Sequence, residues 1–183
     1  LSSQDRAGAI VFNDSHLVHV KPQRSRKTVM HILKTICDFN THLGANKGIV
    51  SEKAMLDQAL EKASRTSTHD HIICIISDFN GTSDRTHGLV RNMARHNDVI
   101  LFFVYDPIAK ELPDKGSLII SDGDQQLMID STIKSLQEKV PDILLSRYRL
   151  LKERLEAFRV PVLPITTDQD VALQTRQLLG NQK

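Results

Sequence analysis

Ser77, Asp78, Asn80, Thr82, Ser83 and Asp84 crowd oxygen-bearing side chains into the stretch directly after the apolar run Ile72-Ile73-Cys74-Ile75-Ile76. Carboxylates, hydroxyls and amide carbonyls are the hard ligands that suit Mg²⁺ or Mn²⁺. One loop supplies only part of an octahedral shell, so a metal centre built on Asp78 needs further ligands from other loops. The same residues also have a structural use. Asp78 can accept bonds from the amides of its own loop, and Asp84 can cap the helix that follows. The local sequence favours this second use. In either case Ser77, Asp78, Asn80, Thr82 and Asp84 are the candidate contact residues, because ligands of open α/β sheets bind beyond the carboxyl ends of the strands.

Other groupings are weaker. His69-Asp70-His71 alternates along an extended segment, which sends neighbouring side chains to opposite faces and reads as a solvated strand entrance. The basic run at 21–27 is short enough to be a solvated loop. Gly44-Ala45-Asn46-Lys47-Gly48 has neither P-loop spacing nor a strand immediately before it. A metal-dependent phosphatase using Asp78 would need a second carboxylate at a neighbouring strand end, and the nearest is Asp106, followed by Pro107. No known nucleophile motif is present in the linear sequence.

The elements that must position the cluster follow from periodicity. Residues 72–76, 99–104 and 162–165 are short, continuous apolar runs, the signature of parallel strands covered on both faces. A helix from about Asp84 to His96 lies between the first two and implies a parallel crossover. Residues 9–12 and 16–20 flank Asn13-Asp14-Ser15 as a hairpin, with 16–20 the antiparallel edge of the sheet. Val29, Ile32, Leu33 and Ile36 make one apolar helical face after Ser25, and Met55, Leu56, Ala59, Leu60 and Ala63 make another behind a Ser51 cap. Asp122-Gly123 between two apolar runs marks an inserted β-hairpin at about 107–130. Residues 131–159 are helical with Pro141 opening a new helix, and Leu144, Tyr148, Leu151, Leu155 and Phe158 form its stripe. A last helix starts near Asp168. The fold class is therefore α/β, a three-layer, doubly wound, mostly parallel sheet in one domain over 1–183.

The chain has 183 residues, is 40% hydrophobic and 25% charged, and has a net charge of +2. That is enough chain for one buried core, with no charge excess demanding nucleic acid or a membrane surface. With six Phe, two Tyr and no Trp, stacking platforms for single strands are few. Cys37 and Cys74 fall in a helix and a strand and read as two small buried hydrophobes in a reducing cytoplasm. No run approaches the length of a membrane span, and no signal-peptide layout opens the chain.

Asp5-Arg6-Ala7-Gly8-Ala9-Ile10-Val11-Phe12, followed later by Ile75-Ile76-Ser77-Asp78-Phe79, resembles the von Willebrand factor A pattern, a "DRxGxxxF" strand ahead of a strand ending in an acidic metal-site loop. Asp106-Pro107, Glu111-Leu112-Pro113, Gly116, Ile129-Asp130, Arg147-Tyr148 and residues 166–170 extend the likeness over essentially the whole chain, to the bacterial "domain of unknown function fifty-eight" branch. The resemblance implies a metal-ion-dependent adhesion site built from a DxSxS motif, a Thr from a later loop, and an Asp matched here by Asp78. The DxSxS is absent, and at the Thr-like position, near Ala54, there is no hydroxyl. The chain starts at what looks like the end of the first helix, so the first strand and its motif are expected before Leu1.

The resemblance also implies a non-catalytic protein–protein interaction module with a degenerate or incomplete metal site, acting with a MoxR-type AAA+ ATPase. No cofactor is expected in the chain as it stands, and Mg²⁺ or Mn²⁺ only with the upstream motif. With the first strand missing, either the strand at 9–12 closes up against 72–76, or a second copy fills the gap by self-association.

Overall fold

The computed structural model describes residues 5–13, 15–41, 55–107, 117–121, 126–130 and 134–180. In chain order the elements are β1 (Ala7–Phe12), β2 (Leu17–Gln23), α1 (Arg26–Thr41), α2 (Met55–Thr66), β3 (Ile72–Ser77), α3 (Asp84–Ala94), β4 (Asp98–Tyr105), β5 (Ser117–Ser121), β6 (Gln126–Asp130), α4 (Lys134–Glu156), β7 (Val162–Thr166) and α5 (Val171–Gly180). Two compact units can be distinguished, Leu1–Thr66 with Ser121–Gln126 and Ser67–Ile120 with Leu127–Lys183.

The second unit is built on a parallel sheet in the order β3-β4-β7. Because β-strand side chains alternate, one face carries Ile75, Val99, Leu101, Phe103 and Val162, all buried. Phe103 is 1% exposed and anchors this face, stacked on Phe79 at 6.2 Å and tilted against Tyr148 of α4 at 5.6 Å. Leu151 and Leu155, a turn apart on α4, are also buried, as the sequence stripe requires. Burying each such side chain contributes roughly 1.5–3 kcal/mol. The opposite face is uneven. Leu163 and Ile165 of β7 are buried, but Ile72 and Ile76 of β3 are 74% and 66% exposed and Cys74 is exposed between them. The expectation of a strand covered on both faces, with Cys74 buried, therefore fails at β3: among the described residues no helix lies over its second face. Cys37 on α1 is exposed as well.

The sheet's two edges differ. Bonds from the Asp98 amide to the His71 carbonyl and from the Leu101 amide to the Pro161 carbonyl fix the phase of both ladders. They turn the backbone groups of Val162, Pro164 and Thr166 outward on β7, and those of Ile72, Cys74 and Ile76 outward on β3. On β7 the Tyr148 hydroxyl donates to the Val162 carbonyl (3.4 Å), and Pro164 has no amide hydrogen to leave bare. The Gln174 side chain of α5 clasps Thr166, accepting from its amide at 2.9 Å and donating to its carbonyl at 3.0 Å. On β3 the outward groups form no ladder among the described residues.

In the first unit β1 and β2 form an antiparallel hairpin. Asn13 shapes its turn, its side-chain oxygen accepting from the amides of Ser15 (3.0 Å) and His16 (2.8 Å). The register slips between Ala7 and Ala9, where Gly8 faces Pro22 so closely that a Cβ would lie 2.8 Å from the proline Cγ. The glycine of the "DRxGxxxF" stretch thus has a steric cause. α1 packs on this hairpin with Thr28 and Thr35 buried, their hydroxyls bonded to Gln23 Oε1 (3.3 Å) and the His31 carbonyl (2.8 Å). The helix is rotated from its expected setting: Leu33 and Ile36, placed in its buried face by periodicity, are exposed together with Met30. α2 buries Met55, Leu56, Ala59 and Leu60 as expected.

Two further corrections concern connectivity. β1 and β2 form a two-stranded sheet of their own, where 16–20 is expected as the antiparallel edge of the parallel sheet. α4 runs through Pro141 as one helix instead of restarting there. β5 and β6 pair as the inserted hairpin requires, while the turn at Asp122-Gly123, the Ser51 cap, Ala54 and the 44–48 loop lie outside the described residues.

Candidate functional site

The loop after β3 is held from beneath by an aromatic anchor. Phe79 is 1% exposed and adopts φ 51°, a left-handed conformation that costs a bulky residue energy and persists only where the surroundings enforce it. Here the enforcement is its stack on Phe103, which pulls the ring inward and leaves Asp78 and Asn80, its neighbours on either side, in solvent. Gly81 follows at φ 72°, the conformation that glycine takes at least cost.

The polar groups above this anchor bond one another. The Asp78 carboxylate accepts from the Asn80 amide (3.1 Å) and the Ser77 hydroxyl (3.4 Å), and the Ser77 oxygen accepts from the Phe79 amide (3.1 Å). This is the loop-bracing use anticipated for Asp78. The helix cap is Ser83, not Asp84. The Ser83 hydroxyl accepts from the Thr86 amide (3.3 Å), and the Thr86 hydroxyl accepts from the Ser83 amide (3.0 Å), a reciprocal box worth about 1 kcal/mol. Asp84 occupies the first helical position and faces Arg154 of α4 at 3.6 Å; with side chains 89% and 56% exposed, such a pair contributes about 0–1 kcal/mol. Thr82 is half-buried between the loop and the cap.

The structure thus brings Ser77, Asp78, Asn80, Thr82 and Asp84 together at the carboxyl end of β3. Asp106 follows β4 at the same edge, and Thr166 with Gln174 closes the end of β7. At the other end of β3, His69 and Asp70 pair in solvent at 2.7 Å, the solvated strand entrance anticipated from the sequence. The signal for Phe79 was present but unread: a lone aromatic between Asp78 and Asn80-Gly81 has no strand or helix to belong to, so it must serve the loop.

Asp78 accepts from its own loop, and among the described residues no group of three or more His, Cys, Asp or Glu side chains is placed to hold an ion. The loop presents a rim of exposed hydrogen-bonding groups, Asp78 and Asn80 among them.

Comparison with known proteins agrees with this level of detail. Residues 1–141 match the model of the family described as "Protein of unknown function DUF58". The uncharacterized protein Rv1480 of Mycobacterium tuberculosis (strain ATCC 25618 / H37Rv) is 26% identical over 167 residues, covering 91% of this chain and 50% of the relative. The uncharacterized protein Mb1516 of Mycobacterium bovis (strain ATCC BAA-935 / AF2122/97) matches to the same extent. The chain therefore spans about half the length of the curated relatives it matches. No solved structure matches it. With the family model covering most of the chain, and a mixed α/β architecture carrying a polar loop at the sheet's carboxyl edge, this chain belongs to the DUF58 family.

Proposed function

We propose that the chain is a non-catalytic protein–protein interaction module of von Willebrand factor A type, that the loop at 77–84 is its contact surface, and that its partner is a MoxR-type AAA+ ATPase. The observation that carries the reading is the Phe79 anchor. A loop whose backbone is fixed from below by a buried ring and from above by Ser77 and Asp78 loses little entropy on binding. Its exposed carboxylate and amide, Asp78 and Asn80, can meet complementary donors and acceptors on a partner. The adhesion site of the resemblance survives here in degenerate form, as hydrogen-bonding surface instead of ion shell. The partner's class rests on the sequence resemblance alone.

The test is a binding titration of the full chain against a purified MoxR-type ATPase from the same genome, by interferometry. Binding that weakens at least tenfold in Asp78→Ala and Asn80→Ala supports the reading. Absence of binding, or binding indifferent to both substitutions, refutes it. Turnover of a phosphoester that disappears in Asp78→Ala would replace it with a hydrolase.

A further inference from the structure

Asn80-Gly81 is the one Asn-Gly pair in the chain, and the fold leaves both of its reacting groups free. Asn80 and Gly81 are exposed. The Asn80 backbone amide bonds Asp78 (3.1 Å), whereas no hydrogen bond joins the Asn80 side chain or the Gly81 amide to any described residue. The other asparagines among the described residues are held. Asn13 accepts from the amides of Ser15 and His16. Asn97 accepts from the His71 amide (3.0 Å) and donates to the carbonyls of Ser67 (3.2 Å) and Met93 (2.9 Å). Asn40 and Asn92 lie within α1 and α3, where helical bonds hold the amide that follows each of them.

The backbone at the pair also favours reaction between its two residues. Gly81 has φ 72° while Asn80 is not among the residues with positive φ, the sign pattern of a type II turn, in which the third residue's amide takes no part in the turn's own bond. Without a Cβ, residue 81 lets another group approach its nitrogen closely. A ring closed between Gly81 N and Asn80 Cγ contains only that nitrogen and carbons of Asn80. The fixed points on either side, the buried Phe79 ring and the Ser83–Thr86 box, lie outside it, as does the Asn80 amide that bonds Asp78.

We propose that Asn80 is a site of covalent modification, deamidating through Gly81. Hydroxide removes the Gly81 amide proton, and the nitrogen attacks Asn80 Cγ. The new N–C bond closes a succinimide, and the Cγ–Nδ2 bond breaks to release ammonia, which takes a proton from water. Water then opens the ring, with no oxidant or reductant required. Opening at Cγ gives aspartate; opening at the backbone carbonyl gives isoaspartate, which routes the chain through the side chain and lengthens it by one carbon. Either product sets a new carboxylate near Asp78 and turns a group with two donors into one that only accepts. On the contact-surface reading above, and resting on it, a partner acceptor that met the Asn80 amide then faces a like charge, so the loop releases its partner irreversibly.

The experiment incubates the full chain, native and in urea, at neutral and mildly alkaline pH, and follows its tryptic peptides by mass spectrometry. Asn80 carries the one side-chain amide of peptide 66–85, and Asn97 the one of peptide 96–110. The expected result is the mass gain of amide to acid in 66–85, faster at the higher pH and absent in Asn80→Gln, with part of the product labelled by an isoaspartyl methyltransferase. Asn97 must first give up its bonds to His71, Ser67 and Met93, so in the native chain it should lag by roughly ten- to a thousandfold. Urea should narrow that lag. A 66–85 peptide that keeps its mass in the native chain, one that gains it no faster than 96–110, or a lag that urea leaves unchanged overturns the proposal. No partner enters the measurement, so failure of the contact-surface reading leaves this result standing.

Discussion

Replacing Gly8 by Ala should destabilise the chain, and the same replacement at Gly88 should stabilise it. At Gly8 a Cβ would meet Pro22 Cγ at 2.8 Å, Pro22 N at 2.9 Å and Pro22 Cα at 3.0 Å, where carbon atoms at ease sit about 3.5–4.0 Å apart. The obstructing atoms belong to backbone and to a closed ring, so no side-chain rotation relieves the contact. Either the two strands of the hairpin separate or the bulge between Ala7 and Ala9 deforms. Overpacking of this kind costs about 1–3 kcal/mol. Gly8 is not among the residues with positive φ, so the effect is steric and not conformational. Gly88 lies inside α3 with nothing within 4 Å of its added Cβ, and Gly→Ala in a helix interior gains about 0.8–1 kcal/mol. For chains of this size 1 kcal/mol moves the melting temperature by about 2–4 °C. Thermal melts followed by circular dichroism should show Gly8→Ala falling by about 2–12 °C and Gly88→Ala rising by about 2–4 °C. A Gly8→Ala melt at or above the parent's would refute the account of the hairpin's close approach.

Phe79→Ala removes a buried ring and should cost about 3–5 kcal/mol in urea unfolding; a loss below about 1 kcal/mol would mean that the ring does not anchor the loop. Calorimetric titration with Mg²⁺ should give no saturation below about millimolar ion, whereas sub-micromolar binding abolished by Asp78→Ala would restore a metal centre. His19 should make stability fall in acid. Partial burial, with Lys62 and Lys21 adding to it, holds its pKa below the ordinary histidine value. The neutral ring is thus the form the fold prefers, and its contribution is full above about pH 6.5 and lost as pH falls through the folded value. His19→Gln should flatten that part of a urea-midpoint-against-pH profile, and an unchanged slope would remove His19 as its source.

The parallel strands were legible because each is a short, unbroken apolar run, and the crossover rule then orders them in the sheet. What periodicity cannot report is which faces find a cover. The stripe of Leu33 and Ile36 has helical spacing whether or not anything packs on it, and α1 turns Thr28 and Thr35 inward instead, where burial is tolerated because Thr28 bonds Gln23 and Thr35 satisfies its hydroxyl on the His31 carbonyl of its own helix. Likewise 72–76 reads as a buried strand on both faces, although one is bare. At the site, the address of Asp78 was legible from the end of the apolar run. The cap was not, because Ser83 and Asp84 are both good capping residues and only the backbone decides between them. That Thr86 completes the box in place of the usual Glu or Gln hid the signature further.

The Gln174 clasp on Thr166 has a consequence for stoichiometry. A sheet with two adhesive edges is a bifunctional monomer, and bifunctional monomers polymerise into fibres. Here Gln174, Pro164 and Tyr148 silence the β7 edge, so no strand adds there and the sheet cannot grow in that direction. Gln174→Ala would bare the Thr166 amide and carbonyl and turn a closed end into one open to extension.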